Sequence, residues 1–217
     1  MKKYFFLLAI IFSAAIVSHA QCFGKGLSFA NAGFGLGIQH YRFTDVTNNI
    51  AQPRDTSAAM EIPFSLEYGM LKFLGISVNG NFAKYINGDS SSNEHAKTID
   101  VVPTLNIHSP LGWEKFDPAV FFGYGYSYFK YEVNTASGGT ATANGGVFNW
   151  GINLRLLFKT EGHLGINFWY QHSSYNFKHG TVKDNNGNKY DFALDGPGNS
   201  FGIGLCYRFV HYRNTGS

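Results

Sequence analysis

Two residues in the last quarter of the chain have the types and the spacing of a hydrolytic pair, His172 and Ser174. In a β-strand, residues two apart point to the same face, so the imidazole would lie beside the hydroxyl. A histidine placed in this way can act as general base for a hydroxyl nucleophile when a third group orients it. This chemistry therefore depends on the strands that position the pair.

The strands are predicted by a strict alternation of side chains, which residues 147–158 display most clearly. Phe148 and Trp150 begin an apolar face, whereas Asn149 and Arg155 belong to a polar face. Comparable stretches of about ten residues with aromatic ends recur roughly eight times between about residues 27 and 212. This pattern is typical of an all-β fold, an eight-stranded antiparallel up-and-down transmembrane β-barrel. The alternative is a soluble lipocalin-like barrel, in which the apolar face would point inward.

The connections between the predicted strands alternate in length. Short joins occur at residues 69–70, 109–116 and 159–162, whereas residues 44–57, 87–96, 134–145 and 177–199 form long polar stretches. Short turns at one end and long loops at the other are typical of outer-membrane barrels, in which the turns are periplasmic. We therefore expect the long loops, above all residues 177–199, to face the outside.

The first twenty residues have the features of a secretion signal. Lys2 and Lys3 precede an apolar run, and the segment ends in small residues at Ser18 and Ala20. We interpret residues 1–20 as a removable signal peptide and residues 21–217 as a single barrel domain. A lipoprotein is not expected, because Gln21 stands before Cys22 where a small residue is required.

The composition excludes several classes of function. The formal net charge of +3 is small and scattered along the chain, so we expect no nucleic-acid partner. No phosphate loop, zinc cluster or dinucleotide fingerprint is present in the sequence, and we therefore expect neither a cofactor nor a metal site.

The polar face of the predicted strands carries five charged residues that would lie in the lumen: Glu61, Glu67, Asp100, Arg155 and Arg208. An eight-stranded barrel is just wide enough for its interior side chains to fill it. Buried charges are tolerated when they are paired, so we expect these five to compensate one another across the interior. The result would be a polar plug that closes the lumen, and the alternative is a narrow, gated, porin-like pore.

The mature chain contains two cysteines, Cys22 before the first strand and Cys206 in the last. Those strands are neighbours if the barrel closes, and an exported protein can form a disulfide. A Cys22–Cys206 disulfide and two unpaired thiols both remain open.

The last strand contains the motif Gly202-x-Gly204-x-x-Tyr207-x-Phe209. It resembles the terminal signal by which outer-membrane barrels are recognised for insertion, although residues 210–217 extend beyond the usual end. Together with residues 63–69, it makes the chain similar to the small outer-membrane β-barrel proteins of Gram-negative bacteria. The resemblance implies insertion by the barrel-assembly machinery through the last strand, and a location among membrane lipids and lipopolysaccharide.

The His-x-Ser pair also resembles a motif of the outer-membrane lipid A 3-O-deacylases, which are eight-stranded barrels with a membrane-facing His/Ser/Glu triad. That resemblance would make His172 the base and Ser174 the nucleophile. The position of the family's Glu corresponds to Asn199, and Asp195 lies four residues earlier. The other interpretation is that the pair is simply polar and interfacial. We predict that the protein is not an enzyme, with a structural or surface-interaction role whose extracellular ligand the sequence does not identify.

Overall fold

A computed structural model describes residues 22–86, 94–110, 113–133, 139–159 and 163–209. The predicted signal peptide, residues 1–20, lies outside the described residues. The described strands are β1 Ser28–Asp45, β2 Ile50–Ala51, β3 Asp55–Gly69, β4 Leu74–Ile86, β5 Glu94–His108, β6 Phe116–Val133, β7 Gly139–Leu157, β8 Leu164–Asp184 and β9 Lys189–Phe209. Within these ranges, no helix is long and apolar enough to cross a membrane.

The long strands form one closed antiparallel sheet. From β3 onward each strand pairs with the next in sequence, β1 pairs with β3, and β9 returns to pair with β1. The two-residue β2 pairs only with the end of β1, so it is an addition to the first long loop. Closure pairs each of the eight long strands on both sides, so none of them is an edge strand. The predicted eight-stranded antiparallel barrel is confirmed.

The direction of the side chains decides between the two kinds of barrel. Leu66, Ile152 and Ile203 point outward and are 65%, 41% and 50% exposed. Asn149 and Arg155, from the opposite face of β7, are buried in the interior. An apolar exterior around a polar interior is the arrangement of a membrane barrel, so the soluble lipocalin-like alternative is wrong.

One glycine on the outer surface has a packing role. Gly80 of β4 pairs directly with Phe64 of β3, and the Phe64 ring lies across the space that a side chain at position 80 would occupy. An aromatic ring that covers a glycine on a neighbouring strand restores apolar surface where the glycine provides none.

The expected loop at residues 177–199 is instead mostly strand. β8 and β9 continue as a paired hairpin up to a turn between Asp184 and Lys189, where Gly187 adopts a positive φ of 87°. The expectation of a long polar loop is wrong over most of this stretch, because apolar residues at inward positions alternate with polar ones. Phe177 and Phe192 alternate with them and point inward, and their burial stabilises the hairpin.

Candidate functional site: the barrel interior and its outer vestibule

A compact ionic network of four residues from four different strands lies in the half of the lumen next to the short joins, the end that is periplasmic in outer-membrane barrels. Arg155 contacts Glu67 through one terminal nitrogen, and the other donates to Asp117 Oδ2 at 3.1 Å. The His108 ring lies between the two carboxylates, with Nδ1 2.8 Å from Asp117 Oδ1 and Nε2 2.6 Å from Glu67 Oε1. All four side chains are almost completely buried.

The hydrogen bonding within this network defines its charge. Both ring nitrogens of His108 face carboxylate oxygens, which can only accept, so the ring satisfies both when it donates twice as an imidazolium. The two cations, Arg155 and His108, then balance the two anions, Glu67 and Asp117. The guanidinium also lies 4.7 Å from the centre of the Phe29 ring, which adds a cation–π contact.

Sequence reasoning named Glu67 and Arg155 but missed their two partners. His108 ends β5 and Asp117 lies at the start of β6, so both flank a join that had been predicted as a turn. The alternation of side chains along β5 could have identified His108. Its side chain lies on the same face as Asp100, Thr104 and Asn106, which are all buried. Extending the alternation by two residues would have placed His108 in the lumen.

The other three predicted lumen charges, Glu61, Asp100 and Arg208, are also buried. Arg208 donates to the Cys22 carbonyl at 3.4 Å, and the two carboxylates are held by other side chains. Glu61 accepts a hydrogen bond from Asn81 at 3.1 Å, and Asp100 accepts from Ser127 at 2.5 Å and from Tyr175 at 2.9 Å. The expectation that all five charges compensate one another is therefore corrected. These two carboxylates are satisfied by neutral donors, which neighbouring strands place directly beside them.

The segment before β1 folds under the barrel and closes its periplasmic end. The Phe23 ring stacks on His108 with a centroid distance of 3.4 Å and is 3% exposed. Cys22 is held through its backbone, whose N–H donates to the Trp113 carbonyl and whose carbonyl accepts from Arg208. The ionic network is thus covered on its periplasmic side by an aromatic ring.

Of the two alternatives that the sequence leaves open for Cys22 and Cys206, the structure shows the unpaired thiols. Both cysteines are free and belong to one buried cluster with Phe23, Phe29 and Leu157. Burial raises the pKa of the Cys22 thiol to about 12, so this thiol stays protonated and unreactive.

The outer half of the interior is apolar, which the expectation of a uniformly polar lumen did not include. Phe129, Tyr175, Phe177, Phe192 and Leu194 are all buried there in one cluster. Along the outer part of β8 the polar residues point outward and the apolar ones inward, the reverse of the pattern within the membrane. This reversal is expected where the strands rise beyond lipid, because the outside is then water.

Above this cluster lies a cavity of about 780 Å³, which we call the vestibule. Its floor and walls include buried aromatic rings, and its rim is the exposed segment from Gln52 to Thr56. Tyr41 from the wall donates to Asp55 on the rim at 3.1 Å. The vestibule lies at the end of the barrel that carries the long connections.

His172 and Ser174 lie on the outer surface of β8, where His172 is partly exposed and Ser174 is exposed. His172 Nδ1 is 2.9 Å from Asn199 Oδ1, an atom that also accepts from the Tyr170 hydroxyl at 2.8 Å. Asp195 is instead paired with Arg42 at 3.1 Å. Within the described part of the chain, no carboxylate bonds to His172, so the arrangement lacks the acidic third member of a hydrolytic triad.

The described residues contain no group of three His, Cys, Asp or Glu side chains arranged to hold a metal ion. The chemically distinctive features are therefore the buried ionic network and the vestibule above it.

A closed barrel with an apolar exterior and a polar inner half defines an integral outer-membrane β-barrel protein. The family model described as "Outer membrane protein beta-barrel domain" matches residues 5–209, and the chain belongs to this family. The search of curated proteins found no match.

Solved structures of Gram-negative outer-membrane proteins share the fold at low sequence identity. The outer membrane protein OprG from Pseudomonas aeruginosa aligns with a TM-score of 0.60 and 13% identity, covering 88% of this chain and 100% of that one. The outer membrane protease OmpT from Escherichia coli aligns with a TM-score of 0.52 and 10% identity, covering 89% and 100%. Identities this low establish the fold alone, and an outer-membrane location follows from the family.

Proposed function

We propose that this protein is an outer-membrane barrel whose lumen is closed to solutes and which acts through its extracellular end, in a structural or surface-interaction role. The observation that carries the proposal is the buried network of Glu67, His108, Asp117 and Arg155 beneath the stacked ring of Phe23. A solute would have to separate ion pairs between side chains that are almost completely buried.

The energetics of that network support a permanent plug over a gate. Opening it would expose or unpair buried charges, and the removal of one partner from a buried ion pair costs about 3–5 kcal/mol. Each carboxylate is paired with both Arg155 and His108, which are themselves buried. We therefore assign the network to closure and stability.

The outer surface, the first twenty residues and the last strand indicate the molecules with which such a barrel would interact. The outward aromatic and aliphatic side chains suit contact with membrane lipids and lipopolysaccharide. Residues 1–20 would direct export as a signal peptide, and the aromatic positions Tyr207 and Phe209, both exposed on β9, would be read by the barrel-assembly machinery.

Solute flux into proteoliposomes tests the proposal. Wild-type protein should admit a small sugar no faster than protein-free vesicles do, whereas the variant Phe23→Ala with Arg155→Ala should admit it faster. Trp113→Ala is the matched control, because it removes an aromatic ring from the outside of the same end of the barrel. Flux through the wild type at a rate above the vesicle background would refute the closed lumen. Heat-dependent migration in gels establishes that each variant is folded.

A further inference from the structure

The vestibule has the size and lining of a binding site for a small molecule. Its volume of about 780 Å³ lies within the range of about 300–1,000 Å³ that is typical of ligand pockets. Such pockets are mostly apolar and aromatic, with a few polar groups that fix the orientation of the ligand. The ionic plug below gives this cavity a closed floor, so the inference rests on the closed lumen proposed above.

The lower part of the vestibule presents ring carbons. The Tyr175 hydroxyl is directed down to Asp100 at 2.9 Å, and the Tyr85 hydroxyl is 3.3 Å from Thr98 Oγ1. Their polar ends are therefore occupied by Asp100 and Thr98. Phe129 and Phe177, whose ring centres are 6.0 Å apart, complete a surface that suits an aromatic or other apolar body.

The rim presents a cation that has no partner. Asp55 accepts hydrogen bonds from Tyr41 and from the Thr56 backbone. Arg42 and Asp195 form a bidentate pair with each other. By contrast, the exposed Arg54 side chain makes no hydrogen bond or ion pair with any described residue. Its guanidinium can pair with a carboxylate or a similar anion.

We propose that the vestibule binds a small amphipathic anion from outside the cell, with an aromatic body against the buried rings and an anionic group at Arg54. The apolar floor and the cationic rim lie at opposite ends of the cavity. They therefore select for a ligand whose ring and charge are separated along its length. A neutral compound of the same shape loses the rim contact, and a small non-aromatic anion loses the floor contact.

Calorimetric titration of the protein in lipid nanodiscs, with empty nanodiscs subtracted, tests the inference. The probes are 2-naphthoate, 2-naphthalenemethanol as the neutral analogue, and acetate as the anion without a ring. Wild type should bind 2-naphthoate more tightly than the alcohol and should not bind acetate measurably. Arg54→Gln should weaken 2-naphthoate about two- to five-fold, the range for an exposed ion pair, and leave the alcohol unchanged.

Two further variants separate the site from general effects. Ala96→Trp places a large side chain at a buried position that lines the vestibule, and it should abolish binding of both naphthyl probes. Lys72→Gln makes the same charge change at an exposed position between β3 and β4, and it should leave the affinity for all three probes unchanged. Equal affinity for acid and alcohol, naphthoate binding that survives Ala96→Trp in folded protein, or no naphthoate binding at all would overturn the proposal. The flux assay reports the closed lumen independently.

Discussion

Replacement of Arg155 by Gln removes the centre of the ionic network. The guanidinium contacts Glu67, donates to Asp117 at 3.1 Å and lies over the Phe29 ring at 4.7 Å. After the substitution, two buried carboxylates would share only the His108 ring, so the site would carry an uncompensated negative charge. The glutamine amide can replace at most one of the lost charge-assisted hydrogen bonds.

The cost of this change should be about 3–5 kcal/mol of unfolding free energy, the range for breaking a buried ion pair by removing one partner. At about 1.4 kcal/mol for each tenfold change, the folding equilibrium constant would fall by about two to four powers of ten. Such a loss is a large fraction of the total stability of about 5–15 kcal/mol that is usual for a folded protein.

Urea unfolding from lipid vesicles, followed by tryptophan fluorescence and by heat-dependent gel migration, measures this loss. Glu67→Gln combined with Arg155→Gln removes one charge of each sign, so the double variant should be more stable than the sum of the single losses predicts. Arg54→Gln is the control at an exposed position and should fall within about 0.5 kcal/mol of wild type. A loss of less than about 1 kcal/mol for Arg155→Gln, or strict additivity in the double variant, would refute the network's role.

The remaining predictions concern the surface and the thiols. Gly80→Leu should cost about 1–3 kcal/mol of unfolding free energy because the new side chain meets the Phe64 ring, and a change below about 0.5 kcal/mol would contradict that packing. Maleimide labelling at pH 8, followed by mass spectrometry, should leave Cys22 and Cys206 unmodified until the barrel unfolds. Both thiols are buried, and the pKa of the Cys22 thiol is raised. Rapid labelling of the folded protein would be inconsistent with this burial. His172→Ala should leave the acylation pattern of lipid A unchanged in mass spectra of cells that carry the inserted barrel, because the His172 ring bonds to an amide and to no carboxylate among the described residues. A change of one acyl chain would restore the hydrolytic hypothesis.

The fold and the two faces of each strand were predictable because the membrane imposes a simple rule. Every second residue must face lipid, so the alternation in residues 147–158 fixes which side chains point outward. The rule ends where the lipid ends. Beyond that level Phe177 and Phe192 turn inward and polar residues turn outward, whereas the polar composition of residues 177–199, rich in glycine and asparagine, favours a loop.

The site was predictable only in part. The alternation of residues along a strand shows which face a side chain belongs to, but it does not show which other side chains it contacts. It placed Glu67 and Arg155 on the inner face, and the structure joins them. It could not show that Phe23, from outside the strands, folds back onto His108. The vestibule likewise could not be predicted, because it forms where paired strands extend beyond the membrane. How far they extend depends on pairing between residues that are distant in the sequence.

The most direct test of the closed lumen is single-channel recording of the purified wild-type protein in planar lipid bilayers, beside the folded variant Phe23→Ala with Arg155→Ala. The structure predicts that insertion of the wild type produces no steady open level, whereas the variant, which lacks the stacked ring and the central cation, conducts. A large, steady conductance through wild-type protein would contradict the account.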